Sequence, residues 1–412
     1  MESTKSKPRR KKPPSQNPIE AAITTWFHSS AAVQRSQLRL EELVAQAPKR
    51  WTVYEPMVLL PAGSFDAKTW KELLSGLPTE EAHALWVQIL AEISKRTGGA
   101  PLTHLAVNEG IPAALHNKTT EESRHNISIE TTKDNQTREN ILRSPTGLRI
   151  LHGDFGPSSS SDDTAPDFDR AFWVSTRQNG VFQTWAPRWT MFSRGNIKEK
   201  ARLLDFHNAH VENGVVLGDA WAVDLYAGIG YFTFSYAKLG MRVLCWELNP
   251  WSVEGLRRGA QGNGWSVRVV KEESDLELPM EELLRGDERI IVFLEDNRHA
   301  ARRIRELNGL DMNILHVNCG LLPSSDASWE DAWDIAVESK GEEAWLHLHE
   351  NVGVADIEKR REEIEQCFLG LAREDGGDKT TRVEHTELVK TFAPGVWHCV
   401  FDLYIKRASS IT

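Results

Sequence analysis

Cysteine is scarce: the 412-residue chain holds only Cys245, Cys319, Cys367 and Cys399. No CxxC pair suggests zinc, no other metal site is expected, and the spacing is not that of a disulfide framework. A reducing compartment, the cytoplasm, is therefore expected. No run approaches the roughly 18 consecutive apolar residues of a membrane span, so no membrane attachment is expected. An excess of positive charge is also missing. The net charge is −10, which excludes a protein that grips nucleic acid over its whole surface. Any such contact has to come from local basic patches. No internal repeat is visible. The opening MESTKSKPRRKKPPSQNP is basic and proline-rich instead of apolar, unlike a secretory signal.

What is present suffices for two or three packed domains, at about 100–200 residues each. Residues 1–18 carry six of the 49 basic residues and four of the 18 prolines, the composition of a disordered tail. Residues 19–147 read as a helical and mixed domain. In TEEAHALWVQILAEISKR, Leu85, Ile89 and Ile93 recur every four residues, widened by Trp86 and Leu90 into a core-facing stripe. KRWTVYEPMVLLP reads as a strand entering a loop, and the polar stretch near 116–140 as an insertion. Residues 148–205 form a small mixed segment of short strands, with GLRILHG, AFWVSTR and GVFQTWA.

Within 206–412, the pattern changes from about Ala220. WAVDLYA is a buried strand, YFTFSYAKLG a helix closed by Gly240, and MRVLCWE the next strand. A helix follows over NPWSVEGLRRGAQGNG, then strands at RIIVFLE, NILHVN and AWLHLHE, and an antiparallel pair around APG. Alternating strands and helices imply a mostly parallel sheet covered on both faces. With an antiparallel closing pair, this is the seven-stranded class I methyltransferase-like variant of the doubly wound α/β fold, beside a smaller α+β N-terminal region.

VDLYAGIGYFTF joins a strand end to a helix through Gly228 and Gly230. Such a turn lets backbone approach a ligand that a Cβ would block, and the helix start adds free N–H groups. Glu247 ends the second strand, 23 positions after Asp224, where an acid can accept from both ribose hydroxyls of a nucleoside. NAD and S-adenosyl-L-methionine both satisfy this. The dinucleotide fingerprint needs a third small residue, and Thr233 stands there, which favours the sulfonium nucleoside. Asp296-Asn297 closes another strand, and a carboxylate beside an amide can read an adenine edge; such a pair also opens helices. In NCGLLPSS, Pro323 and Ser324 occupy the loop where amino-methyltransferases carry an Asn/Asp-Pro-Pro-aromatic motif; the departure argues against ordinary N-methylation. Upstream, MFSRGNIKEKARLL packs polar groups densely, and Arg194, Lys198 and Arg202 share a face if it is helical. Arg298, Arg302 and Arg305 form a second basic face and Arg257-Arg258 a third, local patches that suit phosphate contacts.

Taken in order, MFSRGNIKEKAR, DLYAGIGYFTF, ELNP, EDNR, CGLLPSS, HLHENV and VKTFAPGVWHCVFDL resemble the tRNA guanine methyltransferase and wybutosine-synthesis family over roughly residues 145–407. WTVYEPMVLLP and RSPTGLRILHGDFG fit its N-terminal part more loosely. Glu247 and Gly-Leu-Leu-Pro-Ser-Ser, in place of Asp and an Asn-Leu-Pro loop, are similar to its aminocarboxypropyltransferase branch. The resemblance implies transfer of the 3-amino-3-carboxypropyl group of S-adenosyl-L-methionine to a ring carbon of 4-demethylwyosine, next to the anticodon of tRNA(Phe), with release of methylthioadenosine. It implies donor contacts at Ser193, Lys200, Glu247, Asp296 and Asn297, with Gly228 and Gly230 shaping the turn, and Glu199 as a proton acceptor. Arg194, Arg202, Arg298, Arg302, Pro323 and Ser324 become candidates for contact with tRNA. A monomer is expected. An insertion of about 271–287 departs from the family pattern. A tRNA guanine N1-methyltransferase and a tRNA-binding protein without turnover remain alternatives.

Overall fold

The computed structural model describes residues 16–108, 114–115, 138–139, 145, 147–157, 166–207, 217–307, 312–376 and 378–407. The expected tail, up to residue 15, and nearly all of the expected insertion near 116–140 lie outside them. The described residues of 1–112 and 146–155 form one compact unit, and those of 113–145 and 156–412 another. The segment expected at 148–205 is thus divided between the two.

The first unit holds helices α1 (Pro18–Ser29), α2 (Ala31–Arg35), α3 (Leu40–Ala45), α4 (Lys68–Gly76) and α5 (Thr79–Thr97), and strands β1 (Thr52–Tyr54), β2 (Met57–Leu60) and β3 (His104–Asn108). Asn17 caps α1 by accepting from the Ile19 amide, one of the free N–H groups of a helix start. All five residues of the α5 stripe are buried, and they share a core with Trp26, Phe65 and Trp70. WTVYEPMVLL is an antiparallel hairpin of β1 and β2 around the cis bond Glu55-Pro56, not one strand entering a loop. The pairs β4 (Ala114–Leu115) and β5 (Arg138–Glu139) follow, and β6 (Leu148–His152) completes a sheet in the order β1-β2-β3-β6.

The second unit holds the β4–β5 pair and continues with the hairpin β7 (Val174–Gln178) and β8 (Val181–Trp185), then α6 (Ile197–Asp205). Strands β9 (Ala220–Asp224), β10 (Arg242–Trp246), β11 (Val267–Val270), β12 (Ile290–Phe293), β13 (Asn313–Cys319), β14 (Glu343–Gly353), β15 (Lys379–Ala393) and β16 (Val396–Arg407) form one sheet, ordered β11-β12-β10-β9-β13-β14-β16-β15. It is parallel up to β14 and antiparallel at β14–β16 and β16–β15. Seven of the strands follow the expected doubly wound pattern. The eighth, β11, is an edge strand that the sequence reading missed, because three half-buried residues and one buried one give little periodicity. It leads through α9 (Glu273–Leu276) and α10 (Met280–Leu283), so the departure at 271–287 carries two short helices.

Period-two alternation divides the strand side chains between two cores. Val223, Leu244 and Ile291 face a layer that includes α11 (Ala300–Arg305), α12 (Trp329–Glu338) and α13 (Ile357–Glu374). Ala222, Val243 and Val292 face α6, α7 (Thr233–Lys238) and α8 (Pro250–Gly262). The chain runs outward from β9 to β10 and β12, then returns to β13 on the other side of β9. Ligands of such sheets bind at the C-terminal strand ends beside this reversal. No described helix is long and apolar enough to cross a membrane.

Candidate functional site

The C-terminal ends of β9, β10, β12 and β13 lead into Gly228, Glu247, Asp296 and Pro323 respectively, so one edge of the sheet gathers residues up to 95 positions apart in sequence. Gly228 and Gly230 have φ of +54° and +88°, the left-handed region that a Cβ disfavours. Added Cβ atoms would lie 2.8 Å from the Tyr231 ring and 2.6 Å from the Phe234 ring. The glycines therefore serve ring packing under the turn as well as any ligand above it.

Asp224, fully buried at the end of β9, fixes the turn from below. It accepts from the Thr233 amide and hydroxyl at 3.1 and 2.8 Å and from Asn318 Nδ2 at 2.9 Å. Burial pushes its carboxyl upward, against these bonds. Glu247 Oε2 accepts from the Gly228 amide and Oε1 from the Asn249 amide, both at 2.8 Å. Each carboxylate oxygen retains a second lone pair, so the acid is aimed by backbone and can still accept from hydroxyls. Burial raises its pKa, opposed by the two amides.

Asp296 caps the next turn through the Arg298 amide and pairs with its guanidinium at 2.8 Å, which holds its carboxyl low. Asn297 Nδ2 donates to the Leu225 carbonyl at 2.9 Å, tying this turn to the glycine turn. Ser324 Oγ donates to Glu350 Oε1 at 2.8 Å, and Arg360 braces Glu350 at 3.2 Å. The Pro323 loop, whose Leu322-Pro323 bond is cis, is thus tied to β14.

The upstream stretch is helical from Ile197, and its residues diverge in role. Ser193 accepts from Lys390 Nζ at 3.0 Å, and its amide donates to Tyr231 Oη at 3.1 Å, which places it beside the glycine turn. Lys200 is buried inside the unit, donating to Gln178 Oε1 and Gln183 Oε1 at 2.6 and 2.7 Å. It also lies over the Phe192 ring. Burial depresses its pKa to about 7. Arg194 lies in the short turn before α6, so the helical face expected for Arg194, Lys198 and Arg202 is not formed. Lys198 pairs with Glu387 at 2.6 Å.

Arg202 is no surface cation. It makes bidentate bonds to Glu199 and to Asp402. Glu199 is fully buried with both oxygens on Arg202, and burial raises its pKa against that pairing. A proton acceptor needs a reachable lone pair, so this geometry opposes the base role expected of Glu199. Asp402 also accepts from His347 Nδ1 at 2.7 Å; His347 Nε2 meets His316 Nδ1 at 2.9 Å, and His316 Nε2 meets His207 at 2.7 Å. Every ring nitrogen facing this row is used, and no described cluster of His, Cys, Asp or Glu could hold a metal.

Other expected cations are also paired. Arg302 lies 4.0 Å from Glu306, Arg305 2.7 Å from Asp334, and Arg257 and Arg258 both bind Glu254. Sequence reading missed Lys390, Asp402, Asn318 and Tyr231. Only the Asp224–Thr233 spacing around the glycines was a usable signal for any partner of that group; the rest are long-range pairings.

No family model matches the chain. It is 38% identical over 357 residues to tRNA wybutosine-synthesizing protein 2 of Schizosaccharomyces pombe, covering 86% of this chain and 72% of that protein. It is 31% identical to the Saccharomyces cerevisiae protein of the same name, covering 92% and 79%. The crystal structure of Pyrococcus horikoshii TYW2 in complex with MeSAdo has the same fold, with a TM-score of 0.53 at 18% identity over 93% of this chain and 99% of that one.

Proposed function

The chain belongs to the tRNA wybutosine-synthesizing protein 2 family, and on that premise we propose that it is an S-adenosyl-L-methionine-dependent aminocarboxypropyltransferase acting on tRNA. The observation that carries the reading is Glu247, aimed by the Gly228 and Asn249 amides at the strand ends beside the β9–β13 reversal. That is where an acid can take both ribose hydroxyls of the donor. Asp296 and Asn297 lie at the next strand end, suited to an adenine edge, and Ser193 sits across Tyr231 from the turn.

The sulfonium of the donor has three carbons next to sulfur, each electrophilic. The product follows from which carbon the acceptor reaches in line, at about 3–3.5 Å. Transfer forms a bond between a ring carbon of the 4-demethylwyosine base and the terminal carbon of the amino-acid arm. The carbon–sulfur bond breaks and its electron pair stays on sulfur, leaving neutral methylthioadenosine. The ring carbon then sheds its proton. Orientation supplies the selectivity, and Glu199 with Arg202 acts as a positioning pair that seats α6 against β16.

The finer substrate is tRNA(Phe), modified next to its anticodon in the cytoplasm by a monomeric enzyme. Pro323, Ser324, Arg194, Arg298 and Arg302 remain candidates for its contacts; Arg202 does not, because its guanidinium is spent on Glu199 and Asp402. The test is product analysis with tRNA carrying the tricyclic base. Methylthioadenosine should accumulate in step with modified tRNA. Accumulation of S-adenosylhomocysteine would instead establish the tRNA guanine methyltransferase.

A further inference from the structure

Lys390 lies on β15, almost two hundred positions from the upstream stretch it meets. Its ammonium is partly buried and donates to Ser193 Oγ at 3.0 Å and Asn196 Oδ1 at 3.3 Å. Both partners are neutral, and no described carboxylate lies within ion-pairing reach. Burial alone depresses its pKa. A desolvated ammonium without a counter-ion is costly, and this one keeps a third N–H in hand. Lys200 differs: its two glutamine oxygens and the face of Phe192 enclose it within the protein.

The surroundings of Lys390 are continuous with the donor site. Glu247 holds the Gly228 amide, Tyr231 packs against Gly228, Tyr231 Oη binds the Ser193 amide, and Ser193 holds Lys390. A Cβ on Gly195 would strike the Lys390 side chain at 2.4 Å, so backbone comes right up to its stem. The donor carries one anionic group, the carboxylate at the far end of its amino-acid arm, and the ribose end is assigned to Glu247. We propose that Lys390, with Ser193 and Asn196 around it, is the subsite that receives the carboxylate of the donor's amino-acid arm. This rests on the functional reading above.

The experiment crosses two proteins with three ligands. Wild type and Lys390→Met are titrated calorimetrically with S-adenosylmethionine, its decarboxylated analogue and methylthioadenosine. The wild type should bind the full donor about 10- to 100-fold more tightly than the decarboxylated form, the worth of one or two charge-assisted bonds. Lys390→Met should erase that preference and bind methylthioadenosine as wild type does. Lys390→Arg should keep part of it. A wild type indifferent to the carboxylate overturns the proposal however the variant folds. So does a variant that keeps the preference. A variant with unchanged donor binding but weaker tRNA binding would assign Lys390 to a phosphate instead, which also overturns it. A wild type that binds none of the three ligands would sink the functional reading itself.

Discussion

Lys200 and Glu247 show how single groups report their surroundings. The Lys200 ammonium is depressed to about 7 from an ordinary 10.5 because burial disfavours its charge. The folded chain therefore holds fewer protons there than the unfolded chain between those values, and stability rises with pH across that window. Stability withheld below about 7 returns as the pH climbs toward the ordinary lysine range. Lys200→Met should lack this rise; comparing its unfolding free energy with wild type at pH 7 and pH 10 should reveal a difference of about 3–5 kcal/mol at most. Equal pH profiles would mean that Lys200 stays charged. Glu247→Ala should weaken donor binding by about 2–3 kcal/mol, the loss of charge-assisted bonds to two hydroxyls; calorimetry giving an unchanged affinity would remove the acid from the site. Glu247 and the two glycines were legible because strand end, turn and acid follow each other locally. Lys390 was not, since nothing in VKTFAPG signals that this lysine meets Ser193.

At the scale of elements, α6 is held to the sheet by charge. Arg202 bridges Glu199 on its own helix and Asp402 on β16, and Asp402 is kept low by His347 and Arg202 although its burial pushes the other way. Removing one partner strands buried charge, a loss of about 3–5 kcal/mol. Arg202→Met should destabilise by that order in urea unfolding. Arg202→Met combined with Glu199→Gln should cost less than the sum of the two changes, because the double variant no longer strands the buried Glu199 carboxylate, leaving only Asp402 short of its guanidinium partner. Strict additivity would show that the contacts are independent. The alternation of strands and helices from Ala220 was readable from period and capping: Asn249 caps α8 at Pro250, and α7 closes before Gly240. β11 and the β1–β2 hairpin were not, because each rests on three or four residues whose pairing is tertiary.

For the whole molecule, charge sets the terms of contact with RNA. The net charge is −10, and Arg202, Arg257, Arg258, Arg298 and Arg305 are each bonded to a carboxylate of the same unit. These pairings take up most of the cations in the patches expected to meet phosphate, so the log–log salt dependence of tRNA binding should have a slope no steeper than about −3 to −4. Fluorescence anisotropy across a salt series checks this, and a slope near −8 would reveal a continuous basic face. The two-unit division was only half legible, since residues 148–155 return to a sheet begun nearly a hundred positions earlier. The other sheet ends on its longest strand, β15, which has no further strand beside it among the described residues. A fifteen-residue strand border invites another chain to dock backbone to backbone, but Glu365 already takes the Val383 amide and Lys198 the Leu388 carbonyl. Here the register slips three times along β15, and Lys379, Arg382, Glu384 and Glu387 break its surface with charge. Such irregular, charged borders resist lateral stacking of copies, so the strand's own chemistry opposes growth of the sheet from one copy into the next.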